Sequence, residues 1–411
     1  MLKLGDVVIP THPSLLQIAL ETGSIEECMA TESRLAFDPL ITDFLGALSK
    51  SISSNSDARS FPDLLSVAFS MRPANVIGYQ NQIDPSRLRK GKGLVFHITP
   101  SNVPLNFVYS YIFSLLSGNA NLVRLTSKSF PQIDLFVRIL NEVLQLPQYS
   151  WIRRATCFIR YEHSKEITDF LSSKCDARVI WGGDQTIREI RSSEIRVGAS
   201  EVVFPNRYSM SLVNSQEFLR LGDDDQSKLV GRFFTDSFLF DQQGCSSPKL
   251  MCWFGDSNVN LSAQELFWKQ LDSVASLRYN LQMKNATDKF VDICLALGNG
   301  FDINSVMIPS RYITRIKVNS DSDILGKYQG QFGSFLECEI NSFESLENFV
   351  SSEFQTVTYF GFEIGRLRKE FASLKISGVD RVVPIGQAFD ITMDWDGQNF
   401  VESLSRIIDF R

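Results

Sequence analysis

The residue best suited to covalent chemistry is Cys245, which lies in the segment 243–248, QGCSSP. Glycine, serine and proline separate it from an apolar helix-like run before it and an apolar strand-like run after it. Such a segment is typical of a loop that a substrate can approach, and a cysteine thiolate is a nucleophile. The alternative is that Cys245 packs as a small hydrophobic residue, as most free cysteines do. The other six cysteines lie in or beside apolar runs or, for Cys28, in an irregular N-terminal part, so we expect less reactivity there.

Asn102 lies in the segment 100–104, PSNVP, between a predicted strand and a predicted helix. Its amide NH₂ group could therefore project from the end of that strand. A donor of this kind stabilises the oxyanion that forms when a nucleophile attacks an acyl group. Asparagine and proline also form ordinary turns, so a turn without a catalytic role is the alternative.

Two further segments could bind a nucleotide. Arg124 and Lys128 flank the end of a predicted strand, where a cation could hold a ribose hydroxyl or a 2′-phosphate. Gly182, Gly183 and Asp184 end another strand and open a helix, where backbone N–H groups can approach a phosphate. The alternatives are solvated surface charges and a simple strand–helix turn. The dinucleotide-binding pattern GxGxxG does not occur in the sequence.

The elements that must position these residues alternate regularly between residues 93 and 213. Predicted strands cover residues 93–99, 121–126, 156–161, 177–181, 201–204 and 209–213, and predicted helices cover 104–117, 131–146, 164–174 and 184–191. This alternation predicts a parallel sheet with helices on both faces. Because ligands bind at the carboxyl ends of such strands, the loops 100–103, 127–130 and 182–184 should lie together.

The remaining segments are less regular. Residues 1–90 are predicted to be irregular apart from a helix over 37–50, and a basic, glycine-containing run at 87–93 predicts a boundary. The second half is predicted to form another α/β domain. Its predicted strands are 249–254, 305–309, 312–318 and 332–340, and its predicted helices are 226–241, 261–281, 286–297, 344–350 and 362–374. The C-terminal stretch is predicted to contain a strand over 388–392 and a helix over 400–408.

Composition excludes several classes of protein. The 411 residues carry 41 basic and 47 acidic side chains, a net charge of −6, so a protein that grips nucleic-acid phosphates is not expected. No apolar run is long enough for a membrane span, and residues 1–6 lack a signal-peptide core. Seven cysteines without a CxxC pair favour free thiols in a reducing, cytoplasmic compartment. Three histidines make a metal site improbable, and His97, inside an apolar strand, is predicted to be a core residue.

The motifs occur in an order that resembles a known family. The order is PSNVP at 100–104, GN at 118–119 leading into VRLTSK at 123–128, WGGD at 181–184, QGCSSP at 243–248, YQGQFG at 328–333 and WDG at 395–397. From about residue 75 to its end, the chain is similar to the LuxC-type acyl-CoA reductases, a branch of the aldehyde dehydrogenase superfamily. Single motifs are weak evidence, and their shared order and spacing carry the resemblance.

The resemblance implies an α/β fold of the aldehyde dehydrogenase type, with a parallel-sheet nicotinamide-binding domain and an α/β catalytic domain. It implies an N-terminal region over 1–90 that packs on the cofactor domain, a nicotinamide dinucleotide-binding domain over 91–215 and a catalytic cysteine domain over 216–375. The C-terminal segment, 376–411, would return to the cofactor domain or to an oligomer interface.

The resemblance also implies an activity, which is the NADPH-dependent reduction of an acyl thioester, with fatty acyl-CoA as the implied substrate, to the aldehyde. NADH is the alternative cofactor. Cys245 would be the nucleophile, and Asn102 and the Cys245 backbone N–H would bind the oxyanion. The cofactor would be held by Thr99, Pro100, Arg124, Thr126, Ser127, Lys128, Gly182, Gly183 and Asp184. The implied partners are acyl-CoA or a protein-bound acyl thioester, an acyl-protein synthetase and further copies of the chain.

Two departures from the superfamily bear on the product. Members that form free acids carry a water-activating glutamate in an ELGGK-like segment, whereas this chain has VFPNR at 203–207, with Glu201 two residues away. The ribose-binding glutamate before Phe-Gly is also missing at 330–333. Loss of the base suits a reductase, because hydrolysis of an acyl-enzyme would waste substrate. The alternatives are an acid-forming dehydrogenase that uses Glu201 and a non-catalytic partner of an acyl-protein synthetase.

Overall fold

The computed structural model describes residues 3–4, 7–8, 18–99 and 103–410 of the chain. It divides into two units, which are residues 1–205 with 391–411 and residues 206–390. Pro100 and Asn102, two of the predicted site residues, lie outside the described residues. Among the helices that the structure describes, none is long and apolar enough to cross a membrane.

Short aliphatic strands alternate with helices in the first unit, and this confirms the elements predicted over residues 93–204. The strands are β1 (Lys3–Leu4), β2 (Val7–Val8), β3 (Ala19–Thr22), β4 (Leu88–Gly91), β5 (Leu94–Ile98), β6 (Ala120–Arg124), β7 (Thr156–Arg160), β8 (Ala177–Trp181) and β9 (Ser200–Phe204). The helices are α1 (Ile25–Ala30), α2 (Pro39–Ser54), α3 (Pro62–Ser70), α4 (Pro73–Gln80), α5 (Asn106–Leu116), α6 (Pro131–Leu144), α7 (Ser150–Arg154), α8 (Lys165–Lys174) and α9 (Asp184–Arg191).

Six of these strands form a sheet in the order β3-β7-β6-β5-β8-β9. Strands β5 to β9 are parallel, and β3 pairs antiparallel with β7. The chain runs outward from β5 in one direction through β6 and β7 and in the other through β8 and β9. The strand order therefore reverses between β5 and β8, which is where open α/β sheets bind ligands at the carboxyl ends of their strands.

His97 lies in the middle of β5 and is fully buried. Its ring nitrogens lie 3.0 Å from the Ser110 hydroxyl and 3.0 Å from the Asn121 amide oxygen. Burial lowers the pKa of His97 to about 4, so the ring is neutral at physiological pH. The prediction of a core histidine is confirmed.

The N-terminal region is not irregular as the composition predicts, since α1 to α4 occupy much of residues 25–80. Three of these helices begin with proline, at Pro39, Pro62 and Pro73. Asp38 caps α2 by accepting a hydrogen bond from Leu40 N at 2.9 Å. Proline, serine and aspartate are loop residues, but they are also the preferred residues of helix N-termini, and this explains the wrong prediction.

The second unit is a second α/β assembly, in agreement with the prediction for the second half. Its strands are β10 (Tyr208–Asn214), β11 (Pro248–Phe254), β12 (Ser305–Met307), β13 (Thr314–Lys317), β14 (Ser334–Ile340), β15 (Phe354–Phe360) and β16 (Arg381–Pro384). Its helices are α10 (Ser215–Leu219), α11 (Asp223–Phe238), α12 (Ser257–Arg278), α13 (Met283–Gly298) and α14 (Ile364–Ser373).

These seven strands form one sheet in the order β12-β13-β14-β11-β10-β15-β16. All neighbours are parallel except β12 and β13. Successive strand residues point to opposite faces, so Leu250 and Cys252 enter one hydrophobic cluster while Met251 and Trp253 enter another. Hydrophobic clusters therefore cover both faces of the sheet, so a functional site is expected at the ends of its strands.

The C-terminal stretch differs from the prediction. It contains β17 (Asp394–Trp395), β18 (Gln398–Asn399), the short helix α15 (Phe400–Leu404) and β19 (Ser405–Ile408), and no strand covers 388–392 among the described residues. β19 pairs antiparallel with β4, the basic run that was predicted to be a boundary. The buried Arg89 of β4 makes this possible, because it donates to Glu402 at 3.1 Å and to the Ser405 hydroxyl at 3.2 Å.

Candidate active site

Cys245 lies in a braced loop between α11 and β11. Asp241 and Gln242 adopt left-handed backbone conformations, with φ of 53° and 62°, that turn the chain back toward the sheet. The buried Gln242 amide donates to Pro248 O at 2.9 Å and to Ser334 O at 3.1 Å. Its oxygen accepts from Gly333 N at 3.0 Å. The loop is thus fixed to the residues that lead into β14.

The buried Lys249 holds the same loop through hydrogen bonds to backbone carbonyls. The Lys249 ammonium donates to the carbonyls of Gln242 and, at 2.9 Å, of Gly330. Burial lowers the pKa of Lys249 to about 7, and the charge of Cys245 opposes this shift. Lys249 is therefore a titratable group within the electrostatic reach of the candidate nucleophile.

The thiol of Cys245 is half-buried, whereas Cys28, Cys157, Cys175, Cys252 and Cys338 are buried. Burial raises the pKa of the Cys28 thiol to about 12 and that of Cys175 to about 11, which makes both poor nucleophiles. Cys294 is exposed on α13, in contrast to the expectation for a cysteine in an apolar run. Exposure in a loop next to polar groups sets Cys245 apart from the buried set.

The contacts of Cys245 come from the amino ends of neighbouring strands. Ser209, in β10, donates from its hydroxyl to Cys245 O at 2.6 Å. Gln355, in β15, places its amide nitrogen 3.6 Å from Cys245 Sγ. The thiol therefore lies at the amino-terminal ends of the strands of the second sheet. The predicted cofactor loops, in contrast, lie at the carboxyl-terminal ends of the strands of the first sheet. Strand β15 was missed in the sequence, because its polar Gln355 and Thr356 interrupt the apolar pattern of a buried strand.

Gly244 gives the loop its close packing. A Cβ atom at this position would lie 2.8 Å from the ring of Phe389, too close for a side chain. The same ring packs edge-on against Phe240 at 4.9 Å between centroids. Asp236 holds the turn that carries Phe389 by accepting from Gly386 N at 2.6 Å and Ala388 N at 3.1 Å. An aromatic side chain thus packs against the glycine that precedes Cys245.

Apart from Pro100, which lies outside the described residues, the predicted cofactor residues lie in the first unit, where they follow three strands that are adjacent in the sheet. Thr99 follows β5, Arg124 to Lys128 end and follow β6, and Gly182 to Asp184 follow β8. The structure therefore brings them to one edge of one sheet, as the alternation predicts. Thr99 donates from its hydroxyl to Arg124 O at 2.9 Å and links two of the three segments directly.

Arg124 and the loop after it are held in place by neighbouring side chains. The Arg124 guanidinium stacks 4.3 Å above the ring of Tyr161 and donates to Tyr161 O at 3.3 Å. Arg160 donates to the carbonyls of Thr126, at 2.5 Å, and Lys128, at 3.4 Å. The side chains of Ser127 and Lys128 are exposed. The backbone of this loop is therefore held by hydrogen bonds, while these two side chains are accessible to a ligand.

A cavity of about 380 Å³ opens beside Arg124, between α8 and α9. Its lining is Arg124, His163, Ser164, Lys165, Thr168, Thr186, Glu189, Ile190, Ser192 and Ser193. The lining combines cationic and hydroxyl side chains with His163, one carboxylate, Glu189, and one apolar side chain, Ile190, so it suits a polar ligand. Ser164 and Lys165 were not predicted as lining residues, although Ser164 has a recognisable sequence signal as the residue that caps α8 by accepting from Ile167 N at 3.3 Å.

The two glycines after β8 do different things. Gly182 donates its backbone N–H to Phe204 O at 3.2 Å, so it extends the sheet and does not offer that donor to a phosphate. Gly183 is exposed at the start of α9, and no atom lies within 4 Å of the place where a Cβ would stand. The N–H groups of the first helical turn lack partners within the helix, so the open surface at Gly183 and Asp184 can receive a hydrogen-bond acceptor.

Glu201 belongs to a buried ion-pair network of the first unit. Its carboxylate lies 2.5 Å from the buried Arg178 guanidinium and 2.6 Å from Arg191. Arg178 also donates to the Ser172 hydroxyl at 3.0 Å and to Ser193 O at 2.7 Å. The two guanidiniums engage both carboxylate oxygens, one each, and so fix the position of the side chain. Glu201 therefore connects β8, β9 and α9 as a structural residue.

The sequence comparisons agree with the motifs. A model of the family described as acyl-CoA reductase (LuxC) matches residues 65–280, which are 216 of the 411 residues. The long-chain acyl-protein thioester reductase of Aliivibrio fischeri is 25% identical over 191 residues, which cover 45% of this chain and 36% of that protein. The long-chain acyl-protein thioester reductase 2 of Photobacterium leiognathi is 26% identical over 173 residues, covering 41% and 33%. The matched segment spans about a third of the length of these curated relatives.

Solved structures with the same fold are aldehyde dehydrogenases. Betaine aldehyde dehydrogenase from Staphylococcus aureus, solved with NAD+, has a TM-score of 0.61 at 13% identity and covers 90% of this chain and 81% of its own. Lactaldehyde dehydrogenase from Escherichia coli has a TM-score of 0.61 at 12% identity, with coverage of 90% and 87%. Glyceraldehyde-3-phosphate dehydrogenase from Methanocaldococcus jannaschii, solved with NADP, has a TM-score of 0.59 at 15% identity, with coverage of 90% and 86%. At these identities the likeness establishes the fold, and the predicted fold class is confirmed. With over half of its residues inside the matching family model, the chain belongs to the LuxC acyl-CoA reductase family.

Proposed function

We propose that this protein reduces an acyl thioester to an aldehyde at the expense of NADPH, through a covalent thioester on Cys245. The observation that carries the proposal is the half-buried thiol of Cys245 on a braced loop, in a chain of an acyl-CoA reductase family. The names of the curated relatives, which are acyl-protein thioester reductases, support the same substrate class.

The proposed reaction has three stages. The Cys245 thiolate attacks the acyl carbonyl, the new C–S bond forms, and the thiolate of coenzyme A or of a carrier protein leaves and takes up a proton. The Asn102 amide and the Cys245 backbone N–H would bind the oxyanion, each donor being worth roughly 2.7–4 kcal/mol at comparable sites. The chemistry expected of the bound nicotinamide is hydride donation to the acyl carbon. The C–S bond to Cys245 then breaks, its electron pair returns to sulfur, and the aldehyde is released.

The first unit fits the nicotinamide dinucleotide by its chemistry. Arg124 lines the cavity of about 380 Å³ together with Lys165, so two cations face a space that can take a phosphorylated ribose. Thr99, Pro100, Thr126, Ser127 and Lys128 would contact the cofactor from the loops after β5 and β6. Gly182, Gly183 and Asp184 would contact it from the loop after β8, with Gly183 and Asp184 offering backbone N–H groups. The two cations, Arg124 and Lys165, favour NADPH over NADH as the bound form, against the opposing charge of Glu189 in the same lining.

The paired state of Glu201 favours aldehyde as the product. A base that activates water must contact that water, and both oxygens of this carboxylate are engaged by Arg178 and Arg191. The aldehyde-forming reaction needs no such base, because the acyl group leaves by reduction. The acyl donor is acyl-CoA or an acyl group on a protein, and in the second case an acyl-protein synthetase would be a partner. Further copies of the chain would be partners with either donor.

The test is to trap the acyl-enzyme. The protein is mixed with a long-chain acyl-CoA without reduced cofactor, and the intact mass is measured for the wild type and for Cys245→Ala. We expect a mass gain equal to one acyl group in the wild type, located on the peptide that contains Cys245, and none in the variant. An acyl group on another residue, or equal labelling of both proteins, would contradict the proposed nucleophile.

A further inference from the structure

The amide of Gln355 lies against the sulfur of Cys245, although 110 residues separate them in the chain. Its Nε2 atom is 3.6 Å from Cys245 Sγ, within the range of a hydrogen bond to sulfur. Both residues belong to the second unit, so the contact lies within one unit, between the loop before β11 and strand β15 of the same sheet. Gln355 is fully buried, so water does not compete for the hydrogen bonds of its amide group.

The neighbouring hydroxyl groups fix which end of the amide faces the thiol. The Ser246 hydroxyl donates to Gln355 Oε1 at 3.0 Å, and the Thr356 hydroxyl lies 3.4 Å from the same oxygen. With its oxygen engaged on this side, the amide presents its N–H groups to the sulfur. The backbone around it is tied to the cysteine loop as well, because Ser209 Oγ accepts from Thr356 N at 3.2 Å while it donates to Cys245 O at 2.6 Å.

We infer that Gln355 is a catalytic residue whose amide N–H donates to Cys245 Sγ and stabilises the sulfur whenever it carries negative charge. The inference rests on the proposed function, because it assigns a role within that reaction. Negative charge is on Sγ twice, once in the attacking thiolate and once when the C–S bond of the reduced adduct breaks and its electron pair returns to sulfur. Because this donor is in position before the reaction, no reorganisation energy is needed at either step.

The charged groups around the loop do not replace this donor. Lys249 interacts electrostatically with Cys245, but its ammonium hydrogen bonds go to the carbonyls of Gln242 and Gly330. Asp241 accepts from the Tyr279 hydroxyl at 2.7 Å. Asp390 and Arg381 lie on the strand and turn next to Phe389 and interact with each other. Among these groups and Gln355, the amide is the one that the structure places on the sulfur itself.

The test measures the reactivity of the thiol without substrate. The rate of alkylation by iodoacetamide is followed from pH 5 to pH 10 by peptide mass spectrometry, for the wild type, Gln355→Met and Gln355→Asn. Methionine keeps the length of the side chain and removes the donor, and asparagine withdraws the amide by one methylene. Cys294, exposed on α13, is an internal reference in every sample. Gln226→Met, which replaces a buried glutamine near the start of α11, is the matched control.

We expect the pH midpoint of Cys245 alkylation to rise by about one pH unit in Gln355→Met, with alkylation about tenfold slower at pH 7, because a hydrogen bond to a charged group is lost. Gln355→Asn should shift in the same direction, and Cys294 and Gln226→Met should follow the wild type. If Gln355→Met does not fold, Gln355→Asn alone decides. Cys245 profiles that coincide with the wild type would overturn the inference. Failure of wild-type protein to form the acyl-enzyme would instead overturn the proposed function, whatever the alkylation profiles show.

Discussion

At the scale of single residues, the surroundings of a thiol decide whether it can react. Five cysteines of the described chain are buried, and burial raises the pKa of Cys28 and Cys175 in particular. Cys245 is half-buried, its sulfur lies 3.6 Å from the Gln355 amide nitrogen, and its carbonyl accepts from the Ser209 hydroxyl at 2.6 Å. The glycine, serines and proline around Cys245 predict a loop, but Gly244, Ser246 and Ser247 are themselves buried, so the partial exposure of the thiol does not follow from them.

Replacing Cys245 by alanine should reduce turnover to background and leave the fold intact. The sulfur is the only atom removed, and surface or half-buried changes of this size typically alter stability by less than about 1 kcal/mol. Steady-state rates and urea unfolding curves measure the two effects separately. Cys294→Ala is the matched control and should retain wild-type turnover, since Cys294 is exposed on α13. Normal turnover in Cys245→Ala would remove this residue from the mechanism.

Lys249 should make stability depend on pH. Its folded pKa is about 7 and its ordinary value is 10.5, so between these values the unfolded chain holds one more proton. The free energy of unfolding must then rise with pH, by up to about 1.4 kcal/mol per pH unit for one group. Lys289, with a pKa lowered by burial to about 7, adds a similar rise.

We expect Lys249→Met to reduce the slope of unfolding free energy against pH between 7.5 and 8.5, as measured by urea denaturation. Lys289→Met should reduce it by a comparable amount, and it is the matched variant because that lysine also donates to backbone carbonyls, among them Tyr312 O at 3.0 Å. A wild-type slope in Lys249→Met would mean that this lysine is not desolvated in the folded state.

At the scale of elements, the cysteine loop depends on a close approach that only glycine allows. Gly244→Ala would push a methyl group against the Phe389 ring, where the ideal Cβ lies 2.8 Å from the nearest ring atom. Overpacking of this kind costs about 1–3 kcal/mol, and small displacements of reacting atoms can reduce rates by about a hundredfold. We expect a large loss of turnover, measured with saturating substrates.

The companion substitution Phe389→Leu should restore part of that activity in the double variant, because it makes room for the methyl group. Equal turnover in Gly244→Ala and Gly244→Ala/Phe389→Leu would show that the loss has another cause. Wild-type turnover in Gly244→Ala would show that the loop does not need this contact.

The β8–β9–α9 element group depends on Glu201. Glu201→Gln leaves the buried Arg178 without its counter-charge, and breaking a buried pair in this way costs about 3–5 kcal/mol. Urea denaturation measures the loss. Asp57→Asn, which breaks an exposed pair with Arg138, is the control and should cost less than about 1 kcal/mol. A stable Glu201→Gln protein whose product changes from acid to aldehyde would support the acid-forming alternative instead.

At the scale of the whole molecule, the predictable parts are those with a local signal. The alternation over residues 93–204 predicted the strands and helices of the first sheet. The helix predicted over 104–117 stops before Gly118, as α5 does, and there φ is 88° and a Cβ would meet Arg34 O. The helices of residues 25–80 were missed because their capping residues resemble loop residues. The pairing of β19 with β4 was missed because it joins segments more than 300 residues apart.

The candidate site shows the same division. The loop of Cys245 could be found from six consecutive residues, whereas Gln355 could not, because parallel strands bring together residues that are distant in sequence. The lining of the cavity beside Arg124 was likewise missed at Ser164 and Lys165, which reach it only through the packing of α8 against the sheet. Local chemistry was therefore predictable, and the residues that support it across the sheet were not.

The most direct test of the account is the oxidation of NADPH, followed by its absorbance, with a panel of acyl-CoA thioesters and with an acylated carrier protein, for the wild type beside Cys245→Ala. The account predicts loss of NADPH with the wild type alone and one trapped aldehyde for each NADPH consumed. Formation of free acid with reduction of NADP+ would contradict the proposed product. No nucleotide binding and no turnover with any acyl donor would contradict the proposed enzyme and favour a non-catalytic binding protein.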